Sequence, residues 1–294
     1  MDSKLEFHNE LKSLKEQVLQ LQRENEELSS KLFRVNEKLR DSEQLKSHFI
    51  SNITNEIVNP FASILALAEN LKAMNPGEQK TIHHMADLIF EEAFHLDFQL
   101  KNIFAVALIE AGKEKITCSV VELADFGAHI SDYFQIHLLK KNINLSIQFK
   151  NNGIESRSVV SVIDREKTDL ILKNLISNSI KFSPAGSTIN LIFSLEDGLL
   201  LIDVSDQGKG IDAEDRQIVF DRFKQLDEKI NSINTGHGLG LSIVQAYTEM
   251  LDGQVSLSNN PDGGIRVRIS LPERSEADSL DSLEDFLLDT EVSY

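Results

Sequence analysis

From Leu11 to Ser42, apolar residues return at alternating spacings of three and four: Leu11, Leu14, Val18, Leu21, then Leu28, Leu32, Val35 and Leu39. Asn25 falls on the same seam. Leu11, Val18, Asn25, Leu32 and Leu39 take the first seam position, and Leu14, Leu21, Leu28 and Val35 the second. A single buried Asn in such a register favours two parallel strands, so a coiled coil over residues 1–42 and a homodimer are expected. One long amphipathic helix packed on its own chain is the alternative.

Helical patterning resumes from Leu45 to Met74 with Pro60 inside it, breaks at Asn75-Pro76-Gly77, and continues to about Gly112. Two helices joined by a tight turn form a hairpin over residues 43–112. One apolar face carries Ile53, Ile57, Ile64, Leu67 and Leu71, the other Met85, Ile89, Leu96, Leu100 and Ile103, and both need a partner. Two chains would complete a four-helix bundle. Pro60 lacks an amide hydrogen and is expected to bend the first helix one turn beyond Asn55.

After Lys113 the texture alternates between α and β. Helices are expected near Glu122–Lys140, Glu166–Lys181 and Leu239–Leu251. Strands are expected near Ile143–Phe149, Val159–Ile163, Thr188–Leu195, Leu199–Ser205, Gln254–Ser258 and Gly264–Leu271. Residues 113–272 thus read as one α/β sandwich, and the whole chain as α+β. The stretch 273–294 carries eight acids and one Arg. It reads as a solvated acidic tail in which Leu280, Leu283 and Leu287 share the spacing of a short docking helix.

Composition narrows the functions. The formal charge of -17 leaves no excess of Lys and Arg for phosphate neutralisation, so no general nucleic-acid binding is expected. One cysteine, Cys118, fits a reducing compartment, and the cytoplasm is the expected location. No apolar run approaches the roughly 20 residues that cross a bilayer, and the first residues lack a signal-peptide core, so no membrane insertion is expected.

Two glycine clusters follow the α/β pattern. Asp206-Gln207-Gly208-Lys209-Gly210 comes directly after a strand, and Gly236-His237-Gly238-Leu239-Gly240 opens a helix. Glycines let the backbone approach a ligand, and the N–H groups of a helix start favour phosphate. Either cluster alone is loop punctuation. Upstream, Asn174, Asn178 and Lys181 share one helix face at spacings of four and three, where amide oxygens suit Mg²⁺ and an ammonium suits phosphate. Phe220-Asp221-Arg222-Phe223 lies between the two clusters.

With these four boxes in order, residues Val120 to Pro272 resemble the ATP-binding domain of sensor histidine kinases. The resemblance implies ATP and Mg²⁺ as ligands. It gives Asp206 the adenine amino group, with Gly208 and Gly210 beside it. Asn178, helped by Asn174, would hold Mg²⁺, and Lys181 would meet phosphate. Arg222 and the loop Gly236, Gly238, Leu239 and Gly240 would close over the nucleotide's tail. In related gyrase and chaperone ATPases a Glu four residues before the metal-binding Asn activates water; here Asn174 stands there, so fast ATP hydrolysis is not expected.

The hairpin resembles the family's dimerisation and phosphoacceptor domain across Phe49 to Leu71. Where the family carries Ser-His-Glu-Leu-Arg-Thr-Pro, this chain reads Thr54-Asn55-Glu56-Ile57-Val58-Asn59-Pro60. An amide nitrogen is a poor nucleophile because its lone pair is delocalised, so conventional autophosphorylation at Asn55 is not expected. Glu56, the family's base, has no imidazole to deprotonate, and Val58 replaces the usual Arg. Asn59 matches the Thr or Asn with which family phosphatases orient water against the aspartyl phosphate of a response regulator. The expectation is therefore a two-component protein, or pseudokinase, that binds Mg-ATP and acts on a separate response-regulator receiver domain. The alternatives are an active kinase, through another acceptor such as His48 or with an engineered Asn55, and a non-catalytic dimeric scaffold.

Overall fold

The computed structural model describes residues 20–23, 25, 27–37, 40, 57–75, 77–157, 159–212, 215, 216, 219, 220, 239–261 and 263–274. The chain divides into two compact units, 1–56 and 57–294. In the first unit the described residues of 20–37 are helical and exposed, and Leu21, Leu28, Leu32 and Val35 present an apolar stripe to solvent, each about 60 % exposed. Leu11, Leu14, Val18 and Leu39 of the seam lie outside the described residues, as do His48, Asn55, Glu56 and the tail beyond residue 274.

The second unit opens with helix α1, described over 57–73, in which Pro60 sits among helical residues. The turn at 74–78 is closed by the Glu78 amide on the Asn75 carbonyl at 3.0 Å. Helix α2 then runs over Gln79–Glu110. Ile57, Ile64, Leu67 and Leu71 on α1, with Met85, Ile89, Leu96, Leu100 and Ile103 on α2, are half-buried. Val58, Phe61, Leu65, Phe90, Phe104 and Leu108 are exposed. Among the described residues no helix is long and apolar enough to cross a membrane.

The remainder is a two-layer α/β sandwich. A two-stranded sheet pairs β1 (Cys118–Glu122) antiparallel with β4 (Val160–Asp164). The six-stranded sheet has the order β3-β2-β5-β6-β8-β7, with β2 (Asn144–Asn151), β3 (Ile154–Ser156), β5 (Thr188–Glu196), β6 (Leu199–Ser205), β7 (Gln254–Asn259) and β8 (Ile265–Pro272). Only β2 and β5 pair in parallel. Helices α3 (Leu123–Lys141), α4 (Arg165–Phe182) and α5 (Gly240–Met250) form the second layer.

Alternation along the strands aims Ile189, Leu191, Phe193, Leu200, Ile202 and Ile269 into the core, each fully buried. Phe126 and Ile130 of α3, and Ile171, Leu172, Leu175 and Ile176 of α4, fill it from the other side. The expected elements fall within a residue or two of these spans. Strands β1 and β3 have no counterpart among the expected elements, and the last strand starts at Ile265 because Gly264, expected to open it, is a left-handed turn residue at φ +84°.

Asp164 caps α4, its Oδ1 accepting the Lys167 amide at 3.0 Å. The same carboxylate takes the Lys167 ammonium at 3.1 Å and the Thr117 amide at 2.8 Å. Lys167 also meets Glu114 at 3.2 Å and the carbonyl of Lys115, and Glu114 in turn accepts the Tyr247 hydroxyl at 2.7 Å. A buried ammonium thus ties the 114–117 segment, just beyond α2, to α4 and α5.

That tie fixes the end of α2, which packs on α5 and sends side chains to α3 and α4. Helices α3 and α4 run in parallel, since His129 meets Asp169, the Lys173 ammonium lies 4.0 Å over the Tyr133 ring, and Lys141 donates to the carbonyls of Ile180 and Lys181. Helix α2 runs the opposite way. Its Glu91 pairs with Lys140, and Phe94 packs on Tyr133 at 4.7 Å, Phe134 at 6.3 Å and His137 at 4.4 Å between ring centroids. Farther along α2, Asn102 reaches Asn174.

Burial, with neighbouring His95 adding to it, holds the His137 imidazole below its ordinary range, and its Nδ1 is buried with no hydrogen-bond partner among the described residues. A ring with depressed pKa takes a proton more readily once released, so its contribution is complete above about pH 6.5 and lost as pH falls toward the folded value. Thermal midpoints of the whole chain should therefore fall between pH 7.5 and 5.5. His137→Phe, which keeps the stacking on Phe94 and removes the proton site, should shrink that fall; an identical slope would refute the assignment.

Candidate functional site at the open end of the sandwich

The site gathers where β6 ends, α5 begins and one face of α4 passes between them. Asp206, just past β6, is 4 % exposed. Its Oδ1 accepts the amides of Gly208 at 2.9 Å and Ile265 at 3.2 Å, and its Oδ2 accepts the Ser179 hydroxyl of α4 at 3.3 Å. A buried carboxylate is costly unless its lone pairs are satisfied, and here three donors from three segments fix its plane. The backbone of Asp206 is tied as well: its amide donates to Ile265 and its carbonyl accepts Asn260 Nδ2 at 3.0 Å.

Glycines make this approach possible. A methyl group at Gly264 would stand 2.1 Å from the Asp206 carbonyl oxygen, and one at Gly208 would stand 3.0 Å from the Phe182 carbonyl oxygen. Gly210, at φ +76°, lies beside Asn259, which accepts the Ile211 amide at 3.1 Å and donates to its carbonyl at 3.0 Å.

Along α4, Asn174 is buried, Asn178 half-buried and Lys181 exposed, with partial burial lowering its pKa. Lys181 Nζ lies 5.2 Å from the Phe182 ring centroid. Gly240, the first residue of α5, abuts both amides: a methyl group there would stand 2.8 Å from Asn174 Oδ1 and 3.6 Å from Asn178 Nδ2. Leu239 before it is buried and its carbonyl accepts the Ser242 hydroxyl at 2.9 Å. Thus Asn174, Asn178, Lys181, Asp206, Gly208, Leu239 and Gly240 border one region, and Gly210 continues its rim. Arg222, Gly236 and Gly238 lie outside the described residues. Asn59 is exposed on α1.

Reading the sequence missed Ser179, Gly264 and Asn102. Ser179 follows Asn178 by one residue, about 100° round the helix, and so falls off the face that Asn174, Asn178 and Lys181 share. Gly264 was expected only as the first residue of the last strand. Nothing in the local pattern marked Asn102. It lies 72 positions from Asn174, yet the two amides bond reciprocally, Asn102 Nδ2 to Asn174 Oδ1 at 3.1 Å and Asn174 Nδ2 to Asn102 Oδ1 at 2.8 Å.

As to what this region would hold, the buried acceptor at Asp206 suits an amino-bearing ring, and the exposed cation at Lys181 suits an anion. The amide oxygens of α4 suit a hard cation only as partial donors, completed by water or phosphate. Among the described residues no group of three His, Cys, Asp or Glu could hold a metal unaided.

This arrangement defines an ATPase domain of a known type. The family described as Histidine kinase-, DNA gyrase B-, and HSP90-like ATPase matches residues 163–275. Hybrid signal transduction histidine kinase D of Dictyostelium discoideum is 29 % identical over 260 residues, 86 % of this chain and 16 % of that protein. Sensor histidine kinase TmoS of Ectopseudomonas mendocina is 30 % identical over 237 residues, 80 % of this chain and 24 % of that protein. Among solved structures, full-length ShkA in complex with AMPPNP superposes with a TM-score of 0.55 at 19 % identity, over 79 % of this chain and 46 % of that one. Residues 163–275 therefore carry the ATPase domain of that family, and the chain is similar to sensor histidine kinases over most of its length while spanning less than a quarter of either of these two curated relatives.

The glycine turn gives a direct test. Gly264→Ala combines a backbone collision with a left-handed φ, and should cost more than about 2 kcal/mol in urea unfolding. Gly263→Ala meets only the φ strain, its nearest atom being 3.8 Å away, and should cost about 1 kcal/mol. Equal losses would contradict the packing of Gly264 on Asp206.

Proposed function

We propose that this chain is a homodimeric, cytoplasmic two-component signalling protein that binds Mg-ATP and acts on a separate response-regulator receiver domain, with its own phosphoacceptor position lost. The organisation is a coiled coil over 1–42, a dimerisation and degenerate phosphoacceptor hairpin over 43–112, an ATP-binding domain over 113–272 and an acidic tail over 273–294. The observation that carries the nucleotide reading is the buried Asp206 carboxylate, oriented by Ser179 and two backbone amides at the rim of the α4 face.

In this reading the Asp206 Oδ2, with one protein donor, accepts the adenine amino group. Asn178 and, in part, Asn174 offer oxygens to Mg²⁺, which would neutralise charge on the phosphates. Lys181 meets the phosphates, while Gly208 and Gly210 let the backbone lie close to the base. Arg222 and the Gly236–Gly240 loop cover the nucleotide tail. The exposed Leu21, Leu28, Leu32 and Val35 stripe supports the parallel coiled coil. Exposed Val58, Phe61, Leu65, Phe90, Phe104 and Leu108 support burial of the hairpin in a dimeric bundle.

Asn55 offers no nucleophilic nitrogen, so Glu56 has no proton to take. Asn59, exposed on α1, orients water against an aspartyl phosphate of the receiver, a step that needs no imidazole. Phosphatase action on the regulator is therefore the favoured catalytic role.

Calorimetry should show Mg-ATP binding by the intact chain, and Asp206→Asn should weaken it about tenfold or more, since a charge-assisted bond is worth about 1.5–3 kcal/mol. Asn178→Ala should remove the dependence on Mg²⁺. No nucleotide binding by the unmutated chain would leave the scaffold reading.

The lost acceptor is tested by Asn55→His. Acid-labile phosphate from γ-labelled ATP should appear at position 55 of that variant and be absent from the unmutated chain. Label at another residue of the unmutated chain would instead support an active kinase. Dephosphorylation of a cognate receiver should survive in both chains and disappear with Asn59→Ala.

A further inference from the structure

The reciprocal pair between Asn102 and Asn174 joins the hairpin to a residue of the nucleotide face. Both side chains are buried, 7 % and 3 % exposed. Asn174 Nδ2 has two acceptors, Asn102 Oδ1 at 2.8 Å and the Leu170 carbonyl at 2.9 Å. Its Oδ1 accepts Asn102 Nδ2 at 3.1 Å, and a methyl group added at Gly240 would stand 2.8 Å from it. The amide is thus satisfied on both ends, and its oxygen is enclosed.

A hard cation needs an oxygen lone pair directed at it and no competing positive dipole nearby. Here one lone pair of the Asn174 oxygen is taken by an N–H whose positive end points at it, and the residue is 3 % exposed. Helix α2 is held in this seat from elsewhere too, by Phe94 on Tyr133 and His137, and by Glu91 on Lys140. We propose that seated α2 competes with the metal for Asn174: docking of the hairpin helix through Asn102 and binding of Mg-nucleotide at the α4 face exclude one another. The proposal rests on the reading of Asn174 as a Mg²⁺ ligand.

Linkage then fixes the signs. If the seated helix lowers the affinity for Mg-nucleotide, Mg-nucleotide must unseat the helix by the same factor. Nucleotide without metal makes no demand on the Asn174 oxygen and should leave the seat unchanged. The quantity that reports the latch is therefore the ratio of ATP dissociation constants in EDTA and in Mg²⁺, measured on one protein, rather than affinity alone.

The experiment uses the full chain with ATP as the probe. Asn102→Ala should raise that ratio about fivefold or more, the lower end of ordinary coupling factors. Phe94→Ala loosens the same helix from a point that touches no residue of the nucleotide face, and should raise the ratio in the same direction. Hydrogen exchange in α2 should increase when Mg-ATP is added to the unmutated chain and stay the same with ATP in EDTA. A ratio that is unchanged or lower in Asn102→Ala, or exchange that slows with Mg-ATP, would overturn the latch. Asn174→Ala separates the underlying assumption: if Mg²⁺ still strengthens ATP binding as much as before, Asn174 is no ligand, and the latch falls for that reason while ATP binding at the site stands.

Discussion

The buried ammonium of Lys167 is the constraint on which the rest of the second unit depends. A charge this far from water is tolerable only with close partners, and Asp164, Glu114 and the Lys115 carbonyl surround it. Replacing such a group with an apolar side chain of similar size is often harmless, whereas deleting one partner is expensive. What the network specifies is therefore position. It pins the segment that leaves α2 against the start of α4 and against α5, so the end of α2 has a fixed anchor. The Tyr247 hydroxyl closes the network from α5, and burial, with its bond to Glu114, raises its pKa well above the ordinary range, so it remains a donor.

From that anchor α2 makes two contacts of different chemistry. Toward the start of α2 the contact is aromatic and ionic, with Phe94 among Tyr133, Phe134 and His137, and Glu91 on Lys140. Toward its end the contact is a pair of amides. An aromatic cluster tolerates small shifts because its attraction is spread over many atoms, but a reciprocal amide pair is directional and fails once its members separate by an ångström. The first holds the helix near its seat. The second decides whether it is fully seated, and it makes that decision on a residue of the nucleotide face.

Much of the sandwich was legible because its elements satisfy local and global demands together. Strand β6 was placed at Leu199–Ser205 from the sequence alone, since a short apolar run is bounded by Asp197-Gly198 before it and Asp206-Gln207-Gly208 after it. Helix α4 was placed to within a residue, and its Asn174, Asn178 and Lys181 face was read from spacing. Strand β1 was missed because its partner β4 lies about 40 positions away, and five residues with one buried every third carry no readable period. The function of Ser179 was hidden for a related reason: its hydroxyl is directed inward, where hydrophobic periodicity reports only burial. The seat of α2 had no sequence signal at all. Gln99 and Asn102 are buried on the helix, and only the fold supplies the amide that Asn102 answers.

The same geometry bears on a chain whose acceptor position carries an amide. In a phosphotransfer protein the nucleotide domain must leave its resting contacts to reach the acceptor, and the resting contacts are a cost against that step. In the proposed function, where the acceptor is lost, the cost would remain without the step, so a tight seat for α2 would no longer oppose phosphotransfer. Helix α1, which carries Asn59, continues through the turn before Gln79 into α2, so under the proposed function a receiver docked there would sense α2. A ligand that releases α2 would therefore alter how α1 is supported without transferring any group. Under the proposed latch, ATP would act on such a chain as an effector of hairpin conformation, and Mg²⁺ rather than the adenine would carry the signal, because only the metal competes for the oxygen that Asn102 holds.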